Sequence, residues 1–240
     1  MCEYNNWNSW YEKILDDFNF SMKEDVKSAN LLNELIMKKG KFNIHNMDVK
    51  KQAIVFGAGP SIKKHISYLK ENFKLDDYTL IAADGTTEAL MEEDIIPDII
   101  VTDLDGKITP IENANHKGSI LYVHAHGDNI DKIKKHVKNL ENIIPTTQAK
   151  PTGLLENYGG FTDGDRAVHI AIYALGINDI TMAGMDFGSI ITQYSRPNIA
   201  TPQAIADEFK KKKLDYANKL IKSLNDNNQD VKIVNLVDIL

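Results

Sequence analysis

The chain has 240 residues, 42% hydrophobic and 26% charged, enough to bury a substantial core as one larger domain or as a domain with a helical appendage. A net charge of -6 excludes the broad basic footprint of a nucleic-acid binder, so any phosphate must be held locally, by amides, a metal and a few bases. The single cysteine, Cys2, excludes an internal disulfide and a cysteine-based zinc site.

Glu3, Asn5 and Asn6 stand where a signal peptide would carry basic residues, and no apolar run reaches membrane length. A soluble cytoplasmic protein with no membrane partner is expected.

Residues 1–50 read as an N-terminal helical segment. Trp7, Trp10, Tyr11, Ile14, Leu15 and Phe18 recur at three- and four-residue steps, and Leu31, Leu32, Leu35 and Ile36 repeat the pattern toward Gly40. Two helices are expected, packed on the main domain or on a partner, which includes a second copy of the chain. At helical spacing an aromatic stripe is a core face before it is a ligand pocket.

Over residues 51–240 strand, loop and helix alternate. An apolar strand at 53–56 leads into Gly57-Ala58-Gly59-Pro60-Ser61 and a helix to about residue 72, with Pro60 suited to the first helical position. A second strand at 80–83 ends in Asp84-Gly85, and Thr86 or Thr87 is expected to cap a helix over 88–93. The β-branched run Ile99-Ile100-Val101 predicts a strand buried on both faces, followed by Asp103, Asp105 and Gly106. A strand at 119–123 ends in His124-Ala125-His126-Gly127-Asp128-Asn129, before a basic amphipathic helix over 130–140. A strand at 143–146 and an irregular segment at 148–158 precede the stretch Gly159–Arg166, which opens a helix running through Ala174. A strand at 179–183 ends in Gly184-Met185-Asp186. Residues 187–203, with Gly188, Pro197 and Pro202, read as a long surface loop and candidate lid. A helix over 203–224 and a strand over 231–236 close the chain, with Lys210 to Lys213 as a solvated helix face before a polyanion site. This alternation predicts an α/β fold, a mostly parallel Rossmann-like sheet flanked by helices.

The polar residues at the strand ends gather at one sheet edge. Asp103 and Asp105, two apart in an extended segment, point the same way. Held that close, two carboxylates are costly unless a proton or cation lies between them, and Mg²⁺ suits one or two carboxylates plus substrate phosphates. The alternative is an Asp-x-Asp-Gly turn bonding only its own backbone. Gly57-x-Gly59-Pro60-Ser61 either holds an anion on free amides at a helix start or makes a tight turn; coupled to Asp103 and Asp105, the anion loop is the better reading. It is neither the full dinucleotide fingerprint, since Ile62 replaces a third glycine, nor a Walker A loop. His124-x-His126-x-Asp128 is open to a metal, a phosphate contact, a proton relay or two structural imidazoles. Asp163 is expected to cap the helix that Arg166 enters, and Arg166 to grip a phosphate.

With those stretches laid out, the sequence resembles the archaeal 6-hydroxymethyl-7,8-dihydropterin diphosphokinases, through the glycine turn, Ala83–Thr87, Pro97–Gly106, His124–Asn129 and Gly160–Ala167. Asp84-Gly85 and Asp103-x-Asp105 also look like the acidic motifs of thiamin pyrophosphokinases, where such residues collect Mg²⁺ and ATP; Gly106 departs from the serine found there. The resemblance implies transfer of the two terminal phosphates of ATP to the hydroxymethyl group of a reduced pterin, giving AMP, in tetrahydromethanopterin or folate-type cofactor synthesis. It implies Mg²⁺ on Asp84, Asp103 and Asp105, with His126 as a candidate proton acceptor. Gly57, Gly59, Pro60, Ser61, Asp84, Gly85, Thr86 and Arg166 would hold ATP. His124, Asp128, Asp165 and Asp186 would face the pterin. The same broad group contains flagellin-modifying sugar transferases, so a nucleotide-sugar transferase is the alternative, with a non-catalytic nucleotide-binding module as a third.

Overall fold

A computed structural model describes residues 6–240; Cys2, Glu3 and Asn5 lie outside the described residues. Two helices open the chain, α1 (Trp7–Phe18) and α2 (Met22–Lys39). α1 turns Trp7, Tyr11, Ile14 and Phe18 inward and ends at Asn19, whose φ of 53° is a left-handed conformation that asparagine tolerates. Its aromatic face is committed to the core of its own chain.

The alternating region runs β1 (Gln52–Phe56), α3 (Ile62–Asn72), β2 (Thr79–Ala83), α4 (Thr86–Met91), β3 (Ile99–Thr102), α5 (Ile108–His116), β4 (Ile120–Ala125), α6 (Ile130–His136), β5 (Ile143–Thr147), α7 (Asp163–Tyr173), β6 (Asp179–Ala183), β7 (Ile190–Thr192), β8 (Gln203–Ile205), α8 (Glu208–Asn227) and β9 (Lys232–Asn235). Seven strands form a wholly parallel sheet in the order β5-β4-β3-β2-β1-β6-β9. From β2 to β5 every strand residue is buried, as apolar strands covered on both faces require. Alternate residues divide between two cores. Val55, Ile81, Val101 and Tyr122 pack with α1, α7 and α8, whereas Ile54, Ala82, Ile100 and Val123 pack with α2, α3, α5 and α6. The α/β class is as expected.

Several boundaries differ from expectation. α5 was missed: Pro110 falls in its first turn, where a missing N–H costs nothing, and Ile111 and Ala114 supply its buried face. α3 starts at Ile62, leaving Pro60 and Ser61 in the turn before it. Neither Thr86 nor Thr87 caps α4; both lie inside it, buried, with hydroxyls that have no hydrogen-bond partner among the described residues. The 187–203 segment is no free loop, because β7 and β8 pair antiparallel and Thr192 Oγ1 donates to Ala58 O at 2.7 Å.

The chain leaves β1 for β2 on one side and returns to β6 on the other. A crevice therefore opens beyond the carboxyl end of β1, the place where open α/β sheets bind ligands.

Candidate active site

At that crevice lies a cavity of about 380 Å³. Gly57, Gly59, Asp84, Gly85, Asp103, Asp105, His126, Asp128, Arg166 and Asp186 line it, as expected; Pro60, Ser61, Thr86, His124 and Asp165 do not.

The acidic centre is built by two tight exits from the sheet. Asp84 leaves β2 with φ 41°, its amide donating to Val101 O at 2.8 Å and its Oδ1 accepting from the Thr102 hydroxyl. After β3, Leu104 adopts φ 65° and is buried, while Asp103 Oδ1 accepts from the Asp105 amide at 3.0 Å. One oxygen each from Asp84, Asp103 and Asp105 then lies within 4.8 Å of the others. Burial, then the charges of Asp103 and Asp105, pushes Asp84 up to about 8. Burial and Asp103 raise Asp105. Burial acts to raise Asp103 as well, but the hydrogen bond with His126 holds it well below the usual carboxylate range. Three mutually repelling carboxylates, with no sulfur or imidazole in the cluster among the described residues, form a hard-oxygen donor set that fits Mg²⁺. A Cβ on Gly106 would overlap Asp84 Oδ2, so the serine of thiamin pyrophosphokinases has no room here.

The two histidines separate. His124 is buried with Nδ1 3.0 Å from Thr146 Oγ1, burial holds it well below its ordinary pKa, and it does not line the cavity. His126 reaches the cavity and places Nε2 3.0 Å from Asp103 Oδ2. The rings sit 6.1 Å apart and do not converge on a shared ligand.

The glycine turn is already occupied. Gly57 N and Gly59 N donate to Ala183 O and Gly184 O, both at 2.8 Å. Ser61 donates through its amide and hydroxyl to Asp186 Oδ2, at 3.3 and 2.8 Å. A Cβ on Gly59 would collide with that same carboxylate. The Gly57, Gly59 and Ser61 amides expected for phosphate are therefore paired within the chain, and the anion at this turn is Asp186.

α7 is capped differently from expectation. Thr162 is the N-cap, and Asp165 accepts from the Phe161 and Thr162 amides at 2.7 and 2.8 Å and from the Thr162 hydroxyl at 2.5 Å. Asp165 is fully buried in that role and does not line the cavity. Asp163 instead accepts from Arg166 Nη1 at 2.7 Å, while Nη2 donates to Phe161 O at 3.0 Å. Both terminal nitrogens of the guanidinium thus bond its own helix start, while Nε is buried with no hydrogen-bond partner among the described residues.

Other residues complete the lining. Lys210 and Lys213 enter from α8, the run for which a solvated face was the first reading and a polyanion site the alternative. Their three-residue spacing was the available signal. Phe20 reaches the cavity from the turn between α1 and α2, and Glu24 and Asp25 from α2, for which no local signal existed. Tyr194 folds over from beyond β7, its carbonyl resting where a Cβ on Gly85 would lie.

Fold and site together define a Rossmann-like α/β protein with a carboxylate cluster suited to a hard cation at the ligand crevice. The model of the family described as 6-hydroxymethylpterin diphosphokinase MptE-like matches residues 26–192. A 6-hydroxymethyl-7,8-dihydropterin pyrophosphokinase of Methanothermobacter thermautotrophicus is 49% identical over 95% of this chain and 97% of its own. Proteins of the same name from Methanocaldococcus jannaschii (47%; 92% and 95% covered) and Pyrococcus furiosus (39%; 97% and 98%) are also similar. The chain belongs to the MptE-like 6-hydroxymethylpterin diphosphokinase family. Among solved structures, the MAf glycosyltransferase of Magnetospirillum magneticum shares the fold at 15% identity, with a TM-score of 0.56 over 90% of this chain and 37% of that one.

Proposed function

We propose that this chain transfers diphosphate from ATP to the hydroxymethyl group of 6-hydroxymethyl-7,8-dihydropterin, releasing AMP, in the cytoplasmic synthesis of a tetrahydromethanopterin- or folate-type cofactor. The observation that carries this reading is the convergence of Asp84, Asp103 and Asp105 beside the cavity, in a chain matching pterin pyrophosphokinases over nearly its whole length. The fold shared with a glycosyltransferase carries no sugar-transfer reading at that identity.

Asp84, Asp103 and Asp105 would hold Mg²⁺, which when bound neutralises triphosphate charge. The pterin hydroxymethyl oxygen attacks the β-phosphorus, the α–β bridging oxygen leaves with AMP, and the hydroxyl proton passes to a carboxylate of the cluster. His126 serves as an orienting group: Asp128 N donates to its Nδ1 at 3.4 Å, so Nε2 carries the proton and directs it at Asp103. Asp186, fixed by Ser61, offers a carboxylate to the paired donors of the pterin's amino-pyrimidinone edge. The segment from β7 to β8, docked on Ala58, shields the transfer from water.

The test is incubation of pure protein with ATP, Mg²⁺ and the pterin while adenine nucleotides are followed. Pterin-dependent AMP is expected; ADP, or AMP that ignores the pterin, would end the proposal. Asp103→Asn and Asp105→Asn should each reduce turnover by orders of magnitude in folded protein.

A further inference from the structure

We infer that Lys210 and Lys213, one turn apart on α8, are the cationic grip for the polyphosphate of the donor nucleotide. This rests on the phosphate-transfer reading above. Carboxylates outnumber basic side chains around the cavity, so a polyanion entering it needs uncommitted cations. The candidates seen in the sequence are largely engaged. Arg166 bonds Asp163 and Phe161 O through its terminal nitrogens, leaving only Nε unpartnered among the described residues, and the Gly57, Gly59 and Ser61 amides bond Ala183 O, Gly184 O and Asp186. Lys210 and Lys213 also line the cavity, and among the described residues the ammonium group of neither is in an ion pair or hydrogen bond.

The four consecutive lysines divide by helical position. Lys211 pairs with Glu208 at 2.7 Å, and Lys212 bonds Asp17 O and lies 4.8 Å from the centre of the Phe18 ring. Lys210 and Lys213 share the inward face, with Lys213 Nζ 5.3 Å from the centre of the Phe161 ring, which steadies its stem. Asp207 caps α8 by accepting from the Lys210 amide at 2.7 Å, which puts Lys210 in the first turn. Positive charge there opposes the helix dipole, and the like-charged neighbour one turn on adds repulsion. The charges of Asp103, Asp105 and Asp163 offset part of that cost without pairing with either ammonium, and a polyphosphate entering with its cation would supply the direct partner both lack.

Binding of inorganic triphosphate and of a non-hydrolysable ATP analogue, measured by calorimetry, tests this in the intact protein. Lys210→Met and Lys213→Met should each weaken both ligands by roughly tenfold or more, the strength of a lost charge-assisted contact. Melting temperature and affinity for the pterin alone should stay at wild-type values. Lys210→Arg and Lys213→Arg should recover part of the loss, and Lys211→Met and Lys212→Met should bind as wild type. Triphosphate affinity undiminished in both inward methionine variants overturns the assignment, as does wild-type protein that binds no triphosphate. Wild-type protein that binds triphosphate through these lysines yet forms no AMP would keep the grip and remove the proposed reaction.

Discussion

His126 Nε2 lies 3.0 Å from Asp103 Oδ2, tying the loop after β4 to the loop after β3 at the cavity wall. With Nδ1 accepting from Asp128, the ring donates to Asp103 and is poorly placed to take a substrate proton. His126→Ala should therefore raise the Mg²⁺ concentration needed for half-maximal rate by about 10- to 100-fold. The pH–rate profile should keep its shape. Disappearance of the acid limb would make His126 the base instead.

Gly106 packs against the carboxylate of Asp84 with no space for a side chain. Gly106→Ala must displace either the loop or Asp84. Turnover should drop by about 100-fold or more, as expected when a catalytic group shifts by about an ångström. The site lies in a loop at the sheet edge, so the melting temperature should change by only a few degrees. Near-normal turnover would show that Asp84 is dispensable or that the loop yields freely.

Asp25 is buried and accepts three hydrogen bonds, from Tyr11 Oη (2.7 Å), Gln148 Nε2 (2.8 Å) and Gly127 N (2.7 Å). It thereby couples α1, α2 and the end of β5 to the residue after His126. Asp25→Ala strands two buried donors and the half-buried Gly127 amide, and should destabilise the fold by about 3 kcal/mol, read from urea unfolding. At temperatures where the variant stays folded, its turnover should also fall. A stability loss without any kinetic effect would confine Asp25 to the fold.

His169 is fully buried, Nδ1 lies 2.9 Å from Tyr158 O, and burial lowers its pKa to about 4. In the unfolded chain the ring has an ordinary value near 6.5. Between those values the unfolded state binds the extra proton, so stability falls as pH drops from 6.5 toward 4 and levels off below. The shift corresponds to roughly 3 kcal/mol from this residue. His169→Gln should flatten the dependence of unfolding free energy on pH across that window, even if it lowers stability at pH 7. An unchanged slope would show that the ring titrates normally in the fold.

Much of the fold was legible because periodicity is a local property. The β-branched run at Ile99–Val101 and the three- and four-residue spacing at Trp7–Phe18 reflect how each element is buried, and both were found. α5 escaped because Pro110 and the polar residues around it mask a two-residue apolar face. Asp84, Asp103 and Asp105 were also legible, since parallel strands all deliver their C-terminal loops to one edge. The roles of Asp165 and His124 were not. A carboxylate at a helix start reads alike whether it caps or faces a ligand, and only burial separates the two.

Sequence alone determined the strand and helix alternation, the acidic cluster and the family resemblance, because each depends on residue type and short-range spacing. Tertiary structure decided which charges remain available. Asp186 fills the glycine turn from 125 residues beyond Ser61, Asp163 engages Arg166, and α8 turns Lys210 and Lys213 toward the carboxylates while Lys211 and Lys212 face away. Whether a charged group binds a ligand depends on whether the fold has already given it a partner, and that partner is set by packing over distances that no local pattern records.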